Sequence, residues 1–133
     1  MPCRRMVLDG KPLILDGYTS ETYTLLMVFV ESPWFSAWRK DHLDDEDFRA
    51  LQIALLQHPA RGAVIQGSGG LRKIRVAAAG HGKRGGGRVI YFYQTKADRI
   101  YLLAGFTKAK QADLSPAQAR SLARAMKEEL NHG

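Results

Sequence analysis

The sequence predicts an α+β domain: a small, antiparallel-rich sheet with two helices after its first strand and one more helix at the C-terminus. Three observations carry this. The apolar runs Thr24–Val30, Arg88–Tyr93 and Ile100–Phe106 are strand-length and rich in β-branched and aromatic residues. Between the first run and the others, apolar residues recur at helical spacing. Near the end, Ser115-Pro116 followed by Gln118 combines an N-cap hydroxyl, a first-turn proline and a capping-box amide. With 133 residues, 45% of them hydrophobic and 25% charged, the chain has the size and apolar content of one core-forming domain.

Taken in order, the first strand ends at Ser32-Pro33, where the ring nitrogen cannot donate to a ladder. Trp34, Phe35 and Trp38, then Phe48, Leu51, Ile53, Leu55 and Leu56, predict helices at about 33–41 and 45–57. Their helical positions favour core roles for Trp34, Trp38 and Phe48. The acidic run Asp44 to Asp47 lies where a helix N-terminus favours negative charge, and His58-Pro59 stops the second helix. Gly62, Gly67, Gly69 and Gly70 mark a loop. A strand follows in which Leu71, Lys73, Arg75 and Ala77 share one face and Arg72, Ile74, Val76 and Ala78 the other. The connector Gly80 to Gly87 is glycine-rich and of hairpin-loop length, Lys96 to Arg99 makes the next turn, and the three strands so joined form an antiparallel meander. Leu122, Ala125, Met126 and Leu130 stripe a last helix over about 116–130. Residues 1–22 mix glycine, proline and charge without periodicity and are expected to be an N-terminal extension, either flexible or an added hairpin. Residues 23–133 are expected to form the domain proper, and a start near Met27 would still encode a complete domain with its first strand shortened at the N-terminal end.

Several function classes drop out. No run of about 18 apolar residues occurs, so no transmembrane helix is expected. The charges around Asp9, Lys11 and Asp16 break any signal-peptide core, which implies a cytoplasmic protein. Cys3 is the only cysteine, so an internal disulfide is impossible. His42, His58, His81 and His132 are scattered without ligand spacing, and no metal or cofactor is expected. Gly80-His81-Gly82 before Lys83-Arg84 superficially suggests a phosphate loop, but it joins two strands instead of opening a helix.

The net charge of +7 is local in origin. Residues 61–110 hold eleven Lys and Arg against Asp98 alone, while residues 31–60 carry three basic against six acidic residues and the two ends are balanced. Such a concentrated field attracts polyanions, and nucleic acid foremost.

The Gly69-Gly-Leu-Arg-Lys-Ile-Arg75 strand, the Gly82-Lys-Arg-Gly-Gly86 loop, Arg88-Val-Ile-Tyr91, Ile100-Tyr-Leu-Leu103, Lys108 and Ala112-Asp-Leu114 together closely resemble the HigB toxins of the RelE superfamily. Phe29-Val-Glu-Ser32 and Leu43 to Phe48 extend the likeness, which covers about residues 27–130. It implies a RelE-like fold over the domain 23–133. The implied activity is that of the toxin of a type II toxin–antitoxin pair: a ribosome-dependent mRNA endonuclease cleaving A-site codons without metal, by attack of the 2′-hydroxyl on the adjacent phosphorus. A HigA-like antitoxin, the 70S ribosome and mRNA are the implied partners.

Carried over position by position, Lys73, Arg75 and Arg88 are the implied catalytic residues. Lys108 is carried over as well, and Arg72, Lys83, Arg84 and Lys110 of the basic segment, the second and third of them in its glycine-rich loop, are the other expected RNA and ribosome contacts. Relatives place tyrosine or histidine near Leu114, and this chain has neither there. A lysine, with a reference pKa of about 10.4, can serve as a base only where neighbouring cations or burial help it, and Lys73 stands beside Arg75 and Arg88. Tyr91, Tyr93 and Phe106 divide evenly between core and base-stacking roles. Two other readings remain open: a non-catalytic nucleic-acid-binding protein, and an interaction module whose basic groove receives an acidic partner.

Overall fold

The structure is a computed structural model that describes residues 4–7, 27–76, 86–108, 111 and 113–132. In chain order the elements are β1 (Arg4–Val7), β2 (Val28–Glu31), α1 (Pro33–His42), α2 (Asp45–Gln57), β3 (Ala63–Val64), β4 (Arg72–Val76), β5 (Gly87–Gln94), β6 (Arg99–Thr107) and α3 (Pro116–His132). One six-stranded sheet runs β1-β2-β6-β5-β4-β3. The β4-β5-β6 meander is antiparallel as expected. β2 returns beside β6 in parallel, so the sheet is mixed; the crossover from β2 through both helices makes that direction possible.

Two short strands complete the sheet at its edges. β3 is only Ala63-Val64, inside the glycine-rich segment, and it pairs with Lys73 and Arg72 at the sheet edge. A two-residue strand gives no periodic signal. β1 lies within the N-terminal extension and pairs antiparallel with β2, Arg4 opposite Glu31 through Val7 opposite Val28. The expected beginning of the first strand at Thr24 lies outside the described residues.

The helix caps follow their residue types. Ser32 Oγ accepts from Phe35 N (3.1 Å) and donates to the Leu103 carbonyl, which ties the start of α1 to β6. Asp44 Oδ1 accepts from Asp47 N (2.7 Å). At α3, Ser115 Oγ accepts from Gln118 N (3.1 Å) while Gln118 Oε1 accepts from Ser115 N (3.0 Å), a reciprocal capping box.

Both sheet faces are covered. On one face Phe29, Val89, Tyr91, Ile100 and Leu102 pack against Phe35, Phe48, Leu51 and Leu55 of α1 and α2. On the other, Val30, Ile90, Leu103 and Phe106 pack under Leu122 and Met126 of α3. Trp38 lies against Gly105 and Gly87, where a Cβ on Gly105 would come within 2.2 Å of the indole. Glycine at 105 is therefore what lets α1 approach the sheet. The fully buried Glu31 carboxylate is held by Arg39, whose Nε lies 2.6 Å from Oε1 and whose guanidinium carbon sits 4.2 Å from the Phe48 ring centroid. Trp34 corrects the reading of the aromatics: beside the proline that opens α1 it is 52% exposed, whereas Trp38 and Phe48 join the core. Tyr91 and Phe106 are buried, and Tyr93 packs against the same core as Tyr91. Ile53, counted in the apolar stripe of α2, is exposed.

A candidate phosphate site on the β4–β5 face

Strand alternation places Lys73 and Arg75 on the face of β4 that carries α3, and register places Arg88 directly opposite Arg75. Ile90, opposite Lys73, belongs to the apolar cluster under α3, so the three cations stand where that cluster gives way to polar surface. Like charges directly opposite one another on neighbouring strands repel. Neither arginine has a carboxylate partner among the described residues, and Arg88 Nε is buried without a hydrogen-bond partner there. A buried donor left unmade is costly, and an oxyanion placed between Arg75 and Arg88 would satisfy it and relieve the repulsion.

The third cation has a partner. Lys73 Nζ lies 3.0 Å from Asp113 Oδ2, across forty residues of sequence. Asp113 sits just ahead of α3. Its Oδ1 accepts from Leu114 N (2.8 Å) and its carbonyl accepts from Gln111 Nε2 (2.6 Å). The hydrogen bond from Lys73, then that from Leu114 N, and the charges of Lys73 and Arg88 hold the Asp113 carboxyl below the usual carboxylate range. Sequence reasoning did not single out Asp113 for a role, because nothing local reports a contact made through the return of α3 over the sheet.

The implied binding residues separate. Arg72 points to the other side of β4, where its Nη1 donates to the carbonyls of Ala60 (3.0 Å) and Gly62 (2.7 Å). It braces the segment entering β3 and does not join the cation cluster. Lys108 is exposed just beyond β6, and its N–H donates to Gly86 O (3.4 Å) at the end of the sheet nearest Arg88. Lys83, Arg84 and Lys110 lie outside the described residues, as does His81. Val76 and Gly87 pair across β4 and β5, so the connector bearing Lys83 and Arg84 leaves and rejoins the sheet one pair beyond Arg75 and Arg88.

Tyr91 supports the site from below. Its buried hydroxyl donates to Pro59 O (2.8 Å) and accepts from Gly62 N (2.7 Å), fixing the segment that leads into β3 beside Lys73. Burial pushes its phenol up in pKa, opposed by the Gly62 hydrogen bond and the charge of Arg72.

Among the described residues no group of three or more His, Cys, Asp or Glu is placed to hold a metal ion, and no helix is long and apolar enough to cross a membrane.

Two comparisons relate the chain to known proteins. A structure of the free E. coli toxin RelE, a double mutant, aligns with 74% of this chain and 94% of its own at 14% identity and a TM-score of 0.48. The family model described as the RelE toxin of the RelE / RelB toxin–antitoxin system matches residues 27–132, which span β2 to the end of α3 and contain Lys73, Arg75, Arg88 and Asp113. The chain belongs to the RelE toxin family of toxin–antitoxin systems.

Proposed function

We propose that this protein is a HigB-like, ribosome-dependent mRNA endonuclease of the cytoplasm, neutralised by a HigA-like antitoxin. The observation that carries the reading is the cation cluster on the β4–β5 face, with Arg75 and Arg88 opposed and Arg88 Nε buried without a partner among the described residues. In the reaction we infer, the ribonucleotide 2′-oxygen forms a bond to the adjacent phosphorus as the bond to the 5′-oxygen breaks. The 2′-proton departs, the 5′-oxygen gains one, and the products are a cyclic phosphate and a 5′-hydroxyl end. Charge accumulates on the two non-bridging phosphoryl oxygens as phosphorus becomes five-coordinate. Arg75 and Arg88 are placed to receive that charge from rigid strand backbone, and Lys73 adds a third cation beside them. Because the nucleophile belongs to the RNA itself, the chemistry needs no metal-activated water. The ribosome supplies what a small open face cannot, the in-line orientation of the message.

The test uses purified 70S ribosomes carrying a defined message, with the same RNA free in solution as the control. Cleavage within the A-site codon and survival of the free RNA are expected. Binding to programmed ribosomes without cleavage would instead indicate a non-catalytic nucleic-acid-binding protein. Absence of both would indicate an interaction module for an acidic partner.

A further inference from the structure

The pairing of Lys73 with Asp113 puts a carboxylate of the protein on the very cation that a phosphate would use. We propose that Asp113 is a specificity determinant of this site: in the free protein its carboxylate stands in for a phosphate group on Lys73. Only an RNA phosphate held by Lys73 together with Arg75 and Arg88 then displaces it. The proposal rests on the reading of these three residues as a phosphate site.

Three features of the structure support it. The carboxylate is aimed, not drifting. Leu114 N holds Oδ1 at 2.8 Å, Gln111 holds the Asp113 carbonyl, Gln111 and Gln118 bond to each other, and the capping box of α3 anchors Gln118. The contact is also exchangeable. The Asp113 side chain is 57% exposed and that of Lys73 28%, and exposed ion pairs of this kind are weak. A phosphate gripped by two further guanidiniums outcompetes such a contact, whereas a phosphate that meets Lys73 alone gains little by replacing it. Finally, the masking is partial. Of the three cations Asp113 bonds to Lys73 alone among the described residues, and Arg88 Nε stays without a partner there, so the site keeps its demand for an anion while one of its three cations is answered.

The consequence is discrimination. A protein with eleven basic residues in one 50-residue segment meets far more bulk RNA than ribosome-held message. Masking Lys73 lowers affinity for loosely presented phosphates and spares those presented in register with all three cations.

Equilibrium binding of a ten-nucleotide single-stranded RNA to the full chain, measured across salt concentrations, tests this without reference to cleavage. Asp113→Asn keeps an oxygen for Leu114 N and removes the charge. It is expected to tighten binding about threefold to fivefold and to steepen the slope of log K against log salt by about 0.7, one extra phosphate contact on a single strand. Asp98→Asn makes the same charge change in the turn at the far end of β5 and is expected to alter binding less than twofold. In a Lys73→Ala background, Asp113→Asn is expected to do no more than Asp98→Asn. Equal effects of Asp113→Asn and Asp98→Asn in the native background, or weaker RNA binding by Asp113→Asn, would overturn the proposal, the latter by showing that Asp113 positions Lys73 for RNA.

Discussion

Tyr91→Phe removes a single oxygen that serves two backbone groups. The ring is fully buried, and the hydroxyl both accepts from Gly62 N at 2.7 Å and donates to Pro59 O at 2.8 Å. Gly62 is itself buried, so its N–H, once orphaned, finds no water and costs about 1–3 kcal/mol. Pro59 is half-buried and its carbonyl is partly rescued by solvent, adding roughly 0.5–1 kcal/mol. The sum is about 1.5–4 kcal/mol, which for a domain of this length lowers Tm by about 5–15 °C. Urea denaturation followed by tryptophan fluorescence measures the first number and calorimetry the second. Because Ala63 pairs with Lys73, loosening the segment at Gly62 also reaches the phosphate site through one strand pair. A variant within 0.5 kcal/mol of the native protein would refute the claim that this hydroxyl organises the approach to β3.

Gly105→Ala places a methyl 2.2 Å from the Trp38 indole against sheet backbone, and overpacking of that kind is expected to cost about 1–3 kcal/mol in urea titration, with Trp38→Leu in the same chain restoring part of the loss. Stability should fall at alkaline pH. The raised folded pKa of Tyr91 means that the unfolded chain ionises first, so the contribution is intact below about pH 10 and is lost as pH rises from there through the folded value; Tyr91→Phe should flatten that part of the profile. A chain beginning at Met27 keeps every strand and helix of the family-matched region and loses β1. It is expected to fold and to cleave, with the newly exposed β2 edge raising its tendency to self-associate in sedimentation, whereas an unfolded or insoluble product would show that β1 is part of the domain's stability.

What the sequence made legible was whatever depends on local spacing. The capping signals at Ser32, Asp44 and Ser115 work over three residues and appear in the structure as hydrogen bonds over three residues. The alternation along β4 separated Lys73 and Arg75 from Arg72, and the same period in β5 let Arg88 join the first pair. Features that depend on how elements return to one another were hidden. The parallel pairing of β2 with β6 is decided by the crossover, not by residues in either strand. Arg72, grouped with the other cations by composition, is diverted to the Ala60 and Gly62 carbonyls by a loop whose course has no periodic signature. Trp34 falls at helical spacing with Phe35 and Trp38, yet only the latter two face the sheet: Trp34 stands about 100° around α1 from Phe35, at the rim of the apolar arc that those two centre. Asp113 reaches Lys73 only because α3 folds back over the sheet.

Catalysis on the β4–β5 face is tested most directly by single-turnover cleavage on programmed ribosomes at saturating protein, comparing Lys73→Ala, Arg75→Ala and Arg88→Ala with the native chain. Loss of a transition-state contact of on the order of 3 kcal/mol corresponds to about a hundredfold in rate. A fall of that size is expected for each variant while ribosome binding is retained. Replacing Lys83 and Arg84 together should weaken ribosome affinity and its salt dependence yet leave the saturated rate largely intact. Near-native rates for all three strand variants would contradict the placement of the reacting phosphate on the β4–β5 face.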